Sequence, residues 1–145
     1  MAGQTIYVEC SSGASGDMIV AALLDLGADK EVLLKGLKSL KVSGYRIEIS
    51  RVLKNNTEAC DFNVILEDAK ECKIFDMPER NLFDIYKIID YSLISENAKD
   101  IAKRIFKIKA EALALAHNLS IEKVYFHERG AVDSIVDIVS AAICL

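Results

Sequence analysis

Two short segments of the chain contain residue types that suit binding of an anion and of a metal ion. Residues 9–18 read E-C-S-S-G-A-S-G-D-M, and residues 126–134 read F-H-E-R-G-A-V-D-S. Each segment comes just before a stretch whose pattern is typical of a helix. Backbone amides at a helix start attract anions, and imidazole and carboxylate groups bind divalent ions. Together the segments indicate a protein that handles a phosphorylated ligand and a metal.

The first segment is compatible with phosphate binding and also with a plain turn. Gly13 and Gly16 permit close approach of a ligand, and Ser12 and Ser15 add hydroxyl donors near the positive end of a helix dipole. The G-x-x-G spacing matches neither the Walker loop nor the dinucleotide fingerprint. A tight turn capped by Ser15 or Asp17 is the structural alternative. Because its charge repels phosphate, we interpret Asp17 as a cap or a metal ligand.

In the second segment, His127 and Glu128 are followed by Asp133, and Asp137 falls on the same helical face as Asp133. Three or more N and O ligands at about 2.0–2.2 Å would complete a site for an ion such as zinc. General acid–base chemistry is a second use, with His127 titrating near neutrality and Glu128 orienting it. A capped helix start with a solvated acidic face is the structural alternative. His117 stands alone, and a surface position is favoured.

The four cysteines, Cys10, Cys60, Cys72 and Cys144, form no C-x-x-C pair, and no secretory signal precedes them. This pattern favours reduced thiols and a cytoplasmic protein. Cys10 lies at the end of a predicted strand, facing the glycine segment. Its thiolate would suit zinc or nickel, and packing at the strand end is the alternative.

Hydrophobic periodicity predicts an α+β fold in which a small sheet packs with helices. The sheet comprises a strand over Thr5–Cys10 and a hairpin over Gly44–Asp68 that turns at Asn55-Asn56. Helices are predicted over Met18–Leu26, from an Asp29 cap to about Leu40, over Asn81–Tyr91, after a Ser95 cap, and from about Val132. In the helix after Ser95, the residues expected to pack inward are Ile101, Ile105, Ile108, Ala112, Leu115 and Leu119.

The 145 residues fit one domain, which we divide into a β-rich part (1–68), a loop (69–79) and a helical part (80–145). An apolar content of 52% argues against disorder, and a net charge of −4 gives no indication of nucleic-acid binding. No apolar run is long enough to cross a membrane. The last helical pattern runs to Leu145 without a stop signal, so we expect the chain to be the front part of something longer.

The two segments, extended to A-L-L-D-L-G after the first and to V-Y-F-H-E-R-G-A-V-D-S-I-V-D-I-V over residues 124–139, resemble the signatures of the LarC family. Its members are nickel-insertion proteins for the nickel-pincer nucleotide cofactor, a pyridinium mononucleotide with two thiocarboxylate groups. The resemblance covers nearly the whole chain. It implies that the chain corresponds to the N-terminal portion of a longer family architecture.

The resemblance implies a nickel chelatase of the lyase class, with Ni(II) placed between the two sulfurs and a pyridinium carbon. A C-terminal domain or chain that binds CTP with Mg or Mn would complete it, and self-association is compatible with the sequence. From the chemistry of the matching positions we assign three sets of residues. The catalytic set is Cys10, Asp17, His127 and Glu128, the cofactor-binding set is Ser12, Gly13, Ser15 and Gly16, and the metal ligands are His127, Glu128, Asp133 and Asp137.

The chain departs from the family pattern at several positions. Ala69–Glu79 contains no histidine where many members carry a histidine-rich loop, and Tyr125 stands where a histidine is usual. Glu9 and Ser11 replace a frequent aspartate and phenylalanine. These departures leave open a non-catalytic alternative, a split or degenerate half that docks a C-terminal partner. A phosphate-ester hydrolase using Asp17 and a metal is a third reading, although no nucleophile–base pair is evident.

Overall fold

The computed structural model describes residues 5–66, 79–126 and 131–145. These ranges contain the helices α1 (Gly16–Asp25), α2 (Lys30–Ser39), α3 (Leu82–Asp90), α4 (Glu96–His117) and α5 (Val132–Cys144). They also contain the strands β1 (Tyr45–Lys54), β2 (Thr57–Leu66), β3 (Arg80–Asn81) and β4 (Tyr125–Phe126), and a short 3-10 helix over Ile121–Lys123. The predicted α+β class is confirmed. No helix in these ranges has both the length and the apolar character that a membrane crossing requires.

The predicted hairpin is confirmed. Strand β1 pairs antiparallel with β2, with Tyr45 opposite Leu66 and Lys54 opposite Thr57. Between the strands, Asn55 and Asn56 adopt φ values of 51° and 62°. A two-residue turn with both residues in the left-handed region matches the twist of the flanking strands, and asparagine tolerates that region well. The second sheet is a short antiparallel pairing of β3 with β4.

The predicted strand over Thr5–Cys10 is wrong. These residues form no ladder with any described strand. Ile6, Tyr7 and Val8 are 45%, 86% and 64% exposed. A strand exists through hydrogen bonds to a neighbouring strand, and alternating residue types cannot supply that neighbour.

Helix α5 lies at the centre of the core, where it contacts α1, α2 and α4. Of its apolar residues, Val132, Ile135, Val136, Val139 and Ala142 are buried, and Ile143 is partly buried against the core. The other walls of the core include Val20 of α1, Leu33 and Leu37 of α2, and Phe62 of β2. The first turns of α5 carry part of the second signature segment.

The predicted inward face of α4 is mostly wrong, although Ile101 is partly buried against the core. The buried residues are Ala98, Ala102, Phe106 and Ala110, whereas Ile108 and Leu115 are 66% and 85% exposed. The alanines allow α4 to approach its neighbours closely, and Phe106 makes an edge-to-face contact with Phe126 at 5.9 Å between ring centroids. Because α4 carries apolar residues on more than one side, the largest side chains did not identify the packed side.

Helix α1 is tied to the hairpin at its C-terminal end. The carboxylate of Asp25 accepts a hydrogen bond from the amide of Cys60 at 2.8 Å and forms an ion pair with Arg51. The backbone hydrogen bond, followed by that from Arg51, lowers the pKa of Asp25. No local signal predicts this contact, since its partners lie far apart along the chain.

The predicted cap of α2 is confirmed and supports a prediction. The Asp29 side chain accepts hydrogen bonds from the amides of Glu31 and Val32 at 2.8 and 3.1 Å. We expect Asp29→Ala to lower the free energy of unfolding by about 1 kcal/mol, because two amides of the first turn lose their partner. Urea unfolding measures the change. Lys35→Ala, on an exposed face of the same helix, is the matched control, and a loss no larger than the control's would contradict the prediction.

Candidate functional site

The start of α1 packs against the early turns of α5. This contact brings parts of the two signature segments together. Gly16 is packed so tightly on Asp137 that an added Cβ would lie 2.5 Å from Oδ2 and 2.8 Å from Cβ of that aspartate. A glycine is therefore required here by close packing and not by backbone conformation. This contact places Asp17, the next residue of the first segment, in the neighbourhood of the acidic residues of α5.

The carboxylates of Asp17, Asp133 and Asp137 interact electrostatically at the junction of α1 and α5. Desolvation, followed by the negative charges of Asp133 and Asp17, raises the pKa of Asp137 to about 6. Its Oδ1 is buried and has no hydrogen-bond partner among the described residues. Buried carboxylate oxygens are normally hydrogen-bonded or paired with a positive charge. A positive charge beside Asp137 would offset this desolvation and the repulsion from the other two carboxylates.

Ser140 is a polar residue of α5 that belongs to neither signature segment. It follows Asp137 by nearly one helical turn, it is fully buried, and its Oγ has no hydrogen-bond partner in the described part of the chain. The signal that could have identified it is its shared helical face with Asp133 and Asp137.

The glycine segment precedes α1 as an exposed turn. The amide of Gly13, at φ +82°, donates to the carbonyl of Cys10 at 3.0 Å. Ser15 occupies the N-cap position without capping a helix amide through its side chain, and its hydroxyl donates to Asp17. Asp17 accepts a hydrogen bond from the amide of Met18 at 2.9 Å. Ser12 and Cys10 are exposed, so Cys10 is not packed at a strand end.

A cleft of about 260 Å³ opens beside Asp17 between α1 and β2. Its walls include Met18 and Ala22 of α1, Lys54 at the end of β1, and Cys60 and Phe62 of β2. Burial, as the main cause, raises the pKa of the Cys60 thiol. Burial also raises the pKa of Cys144 on α5 to about 11, which disfavours its thiolate.

The second segment is described only in part, because His127 and Glu128 lie outside the described residues. Ala131, fully buried, adopts φ +61° at the N-cap position of α5. A non-glycine residue in this region carries backbone strain of order 1 kcal/mol. His117 is exposed in the last turn of α4, as its isolated position predicts.

Lys109 is a residue near this segment that the sequence analysis missed. Its Nζ donates to the Oγ of Ser134 at 2.6 Å and lies 5.8 Å from the centre of the Phe126 ring. It thereby links α4 to Phe126 and Ser134, which precede and follow residues 127–130 in the sequence. A signal was available, since Lys99, Lys103 and Lys107 recur every four residues and Lys109 does not belong to that row.

Within residues 5–66, 79–126 and 131–145, no three His, Cys, Asp or Glu side chains are arranged to hold a metal ion. The predicted ligand set therefore depends on His127 and Glu128 in addition to Asp133 and Asp137. Of the predicted cofactor-binding residues, Ser12, Gly13 and Ser15 are exposed and Gly16 is half-buried. The roles assigned to all these residues stay predictions.

Comparisons with known proteins agree on one family. The family model described as nickel insertion protein matches residues 6–145. Proteins called pyridinium-3,5-bisthiocarboxylic acid mononucleotide nickel insertion protein are 51% identical in Alkaliphilus metalliredigens, 47% in Acetivibrio thermocellus and 42% in Geobacillus kaustophilus. Each match covers 97% of this chain.

The chain spans only 35–36% of the length of these relatives. No solved structure matches it. The match of the family model over nearly the full chain, together with the signatures that meet at Gly16 and Asp137, establishes that the chain belongs to the nickel insertion protein family.

Proposed function

We propose that this chain takes part in the insertion of Ni²⁺ into pyridinium-3,5-bisthiocarboxylic acid mononucleotide, the compound in the names of its relatives. The observation that carries the proposal is the packing of Gly16 on Asp137, which brings Asp17 close to the acidic residues of α5. In this proposal the chain acts as the N-terminal part. A C-terminal part that binds CTP and a Mg or Mn ion acts with it.

Nickel is the substrate of this step and enters through the carboxylates. Ni²⁺ is a borderline ion that accepts both carboxylate and imidazole ligands. Asp133 and Asp137 supply oxygen ligands, and His127 and Glu128 complete the set. A buried carboxylate oxygen without a hydrogen-bond partner favours a divalent ion, because the ion replaces hydrogen bonds that water would otherwise provide.

The organic ligand binds next to the nickel site. The turn over Ser12–Gly16 and the start of α1 receive its phosphate, and the cleft beside Asp17 receives part of the remainder. Complete small-molecule sites have volumes of about 300–1,000 Å³, so this cleft of about 260 Å³ holds only a portion of a mononucleotide. Sulfur ligands are softer than carboxylates, which favours transfer of nickel from the protein to the thiocarboxylates.

Bond formation between nickel and a pyridinium carbon releases the proton of that carbon. The imidazole of His127 accepts this proton, and Glu128 orients the imidazole. Cys10 is exposed beside the turn and acts as a transient soft ligand during transfer.

Calorimetric titration with Ni²⁺ tests the site. Asp133→Asn, Asp137→Asn and His127→Ala should each weaken nickel binding by at least about tenfold, because each removes one proposed ligand. Asp100→Asn, an exposed aspartate of α4, is the matched control and should bind as the unmodified chain does. Circular dichroism confirms that each variant is folded. An unchanged isotherm for all three variants would falsify the assignment.

The alternative is a non-catalytic half that docks a C-terminal partner. The exposed apolar side chains of Ile6, Val8 and Leu26 favour a partner of some kind, but they fit a catalytic half equally well. A chain that binds neither nickel nor the mononucleotide and gains stability only when co-expressed with a C-terminal half would support the alternative.

A further inference from the structure

An open cleft of about 660 Å³ lies on the side of the molecule formed by the ends of α1 and α5. We call it the N-terminal cleft, and its lining residues are Thr5, Ile6, Tyr7, Leu23, Leu26, Gly27, Ala28, Cys144 and Leu145. It contains none of the residues assigned to nickel or to the mononucleotide. The proposed nickel chemistry therefore does not explain the N-terminal cleft.

The N-terminal cleft is bordered by large apolar side chains that face solvent. Ile6, Tyr7, Leu26 and Leu145 are 45%, 86%, 71% and 60% exposed. Helix α1 is apolar on nearly all sides, yet only Val20, Ala21 and Leu23 are buried. A helix that is apolar all round is normally covered on more than one side, and contiguous exposed apolar surface marks an interaction site.

The backbone beside the cleft also lacks partners within the described part of the chain. Residues 5–9 take part in no backbone hydrogen bond there, and Cys10 takes part only through its carbonyl. The same residues show the alternation of a strand, with Ile6, Val8 and Cys10 on one side. A segment with strand periodicity and unused amide and carbonyl groups is a template for the addition of another strand.

The relatives indicate what supplies that strand. About two-thirds of the length of the Alkaliphilus metalliredigens relative has no counterpart in this chain, although the match covers 97% of the chain. We propose that residues 5–10 pair with a β-strand from this additional polypeptide, and that its apolar side chains fill the N-terminal cleft. Cys10 is the one residue of this segment that is also assigned to nickel transfer, and strand pairing uses its backbone and not its thiol, so the proposal does not depend on nickel binding.

Hydrogen exchange followed by mass spectrometry tests the pairing in intact proteins. In the full-length Alkaliphilus metalliredigens relative, alternate amides among the positions of Tyr7 to Cys10 should exchange at least about a hundredfold more slowly than in this chain. Equally fast exchange in the two proteins would overturn the proposal. If protection of these amides in the isolated chain increases with protein concentration, the proposal would also be overturned, because the partner would then be a second copy of the chain.

Proline substitutions distinguish strand pairing from simple coverage of the cleft. Proline has no N–H, and only one of two successive residues directs its amide toward a given neighbouring strand. At the positions of Tyr7 and Val8 in the intact relative, at least one proline should lower the melting temperature. In this chain, Tyr7→Pro and Val8→Pro should leave the melting temperature unchanged. Leu115→Asp in this chain, and the equivalent substitution in the relative, are the controls for a change at an exposed apolar residue elsewhere. Unchanged melting of both proline variants of the relative would count against a strand.

Discussion

Gly16→Ala should lower the free energy of unfolding by about 1–3 kcal/mol, although alanine is the better helix former. The added Cβ would lie within 3 Å of the Cβ, Cγ and Oδ2 atoms of Asp137. The Cβ of Asp137 is fixed to the backbone of α5, so relief requires the two helices to separate. The same separation moves Asp17 away from α5, and nickel binding should weaken in parallel. Urea unfolding and nickel titration of the same variant measure the two effects.

Gly36→Ala is a matched control for this substitution. Its nearest contact would be the Cδ1 atom of Ile143 at 2.7 Å, which is the far end of a flexible side chain. Ile143 can change its rotamer, and the gain in helix propensity offsets the cost, so the change should stay within about 1 kcal/mol. Equal effects of the two substitutions would show that the contact with Asp137 is not rigid.

Asp137→Asn should stabilise the protein by about 1–2 kcal/mol at pH 7 while it weakens nickel binding. Burial and two neighbouring carboxylates raise the pKa of Asp137 to about 6, whereas an aspartate in an unfolded chain titrates near 3.9. The stated gain is smaller than the shift alone suggests, because the side chain is only half-buried and solvent screens its charge. Asparagine retains the shape of the side chain and removes the charge. Opposite effects on stability and on binding are typical of a residue retained for function.

The raised pKa of Asp137 also determines how the stability of the protein changes with pH. Because the folded state binds the proton of Asp137 more tightly than the unfolded state, stability falls as the pH rises from about 4 to about 6. Above about pH 6 the full penalty remains. Urea unfolding between pH 4 and pH 8 should show this contribution in the unmodified chain and in the Asp100→Asn control, and its absence in Asp137→Asn. A variant that is less stable than the unmodified chain at pH 7 would disprove the account.

Local signals in the sequence predicted most of the elements correctly. Asp29 and Ser95 cap the helices that follow them, and Asn55-Asn56 forms the hairpin turn, because these interactions lie within a few residues. The two wrong predictions depend on partners that lie far away in sequence. Thr5–Cys10 has no strand to pair with among the described residues, and α4 packs through its alanines because its neighbours need a close approach.

The sequence also identified both segments of the site but not their contact. Nothing in either segment shows that Gly16 packs on Asp137, because that contact follows from the way α1 crosses α5. The raised pKa of Asp137 could not be predicted either, since it reflects burial in the folded chain. Lys109 was missed because its partners, Ser134 and Phe126, approach it only in the folded chain.

The bonds of Asp25 to Cys60 and Arg51 have a mechanical consequence for the far end of the same helix. Asp17 and Asp25 are eight positions apart, which corresponds to about 12 Å of helix. A tilt of about 5° imposed by the hairpin would therefore displace the Asp17 carboxylate by about 1 Å, which is enough to alter a coordination shell. In the proposed function, a movement of the hairpin would therefore change the position of Asp17 relative to Asp133 and Asp137 and would alter nickel binding.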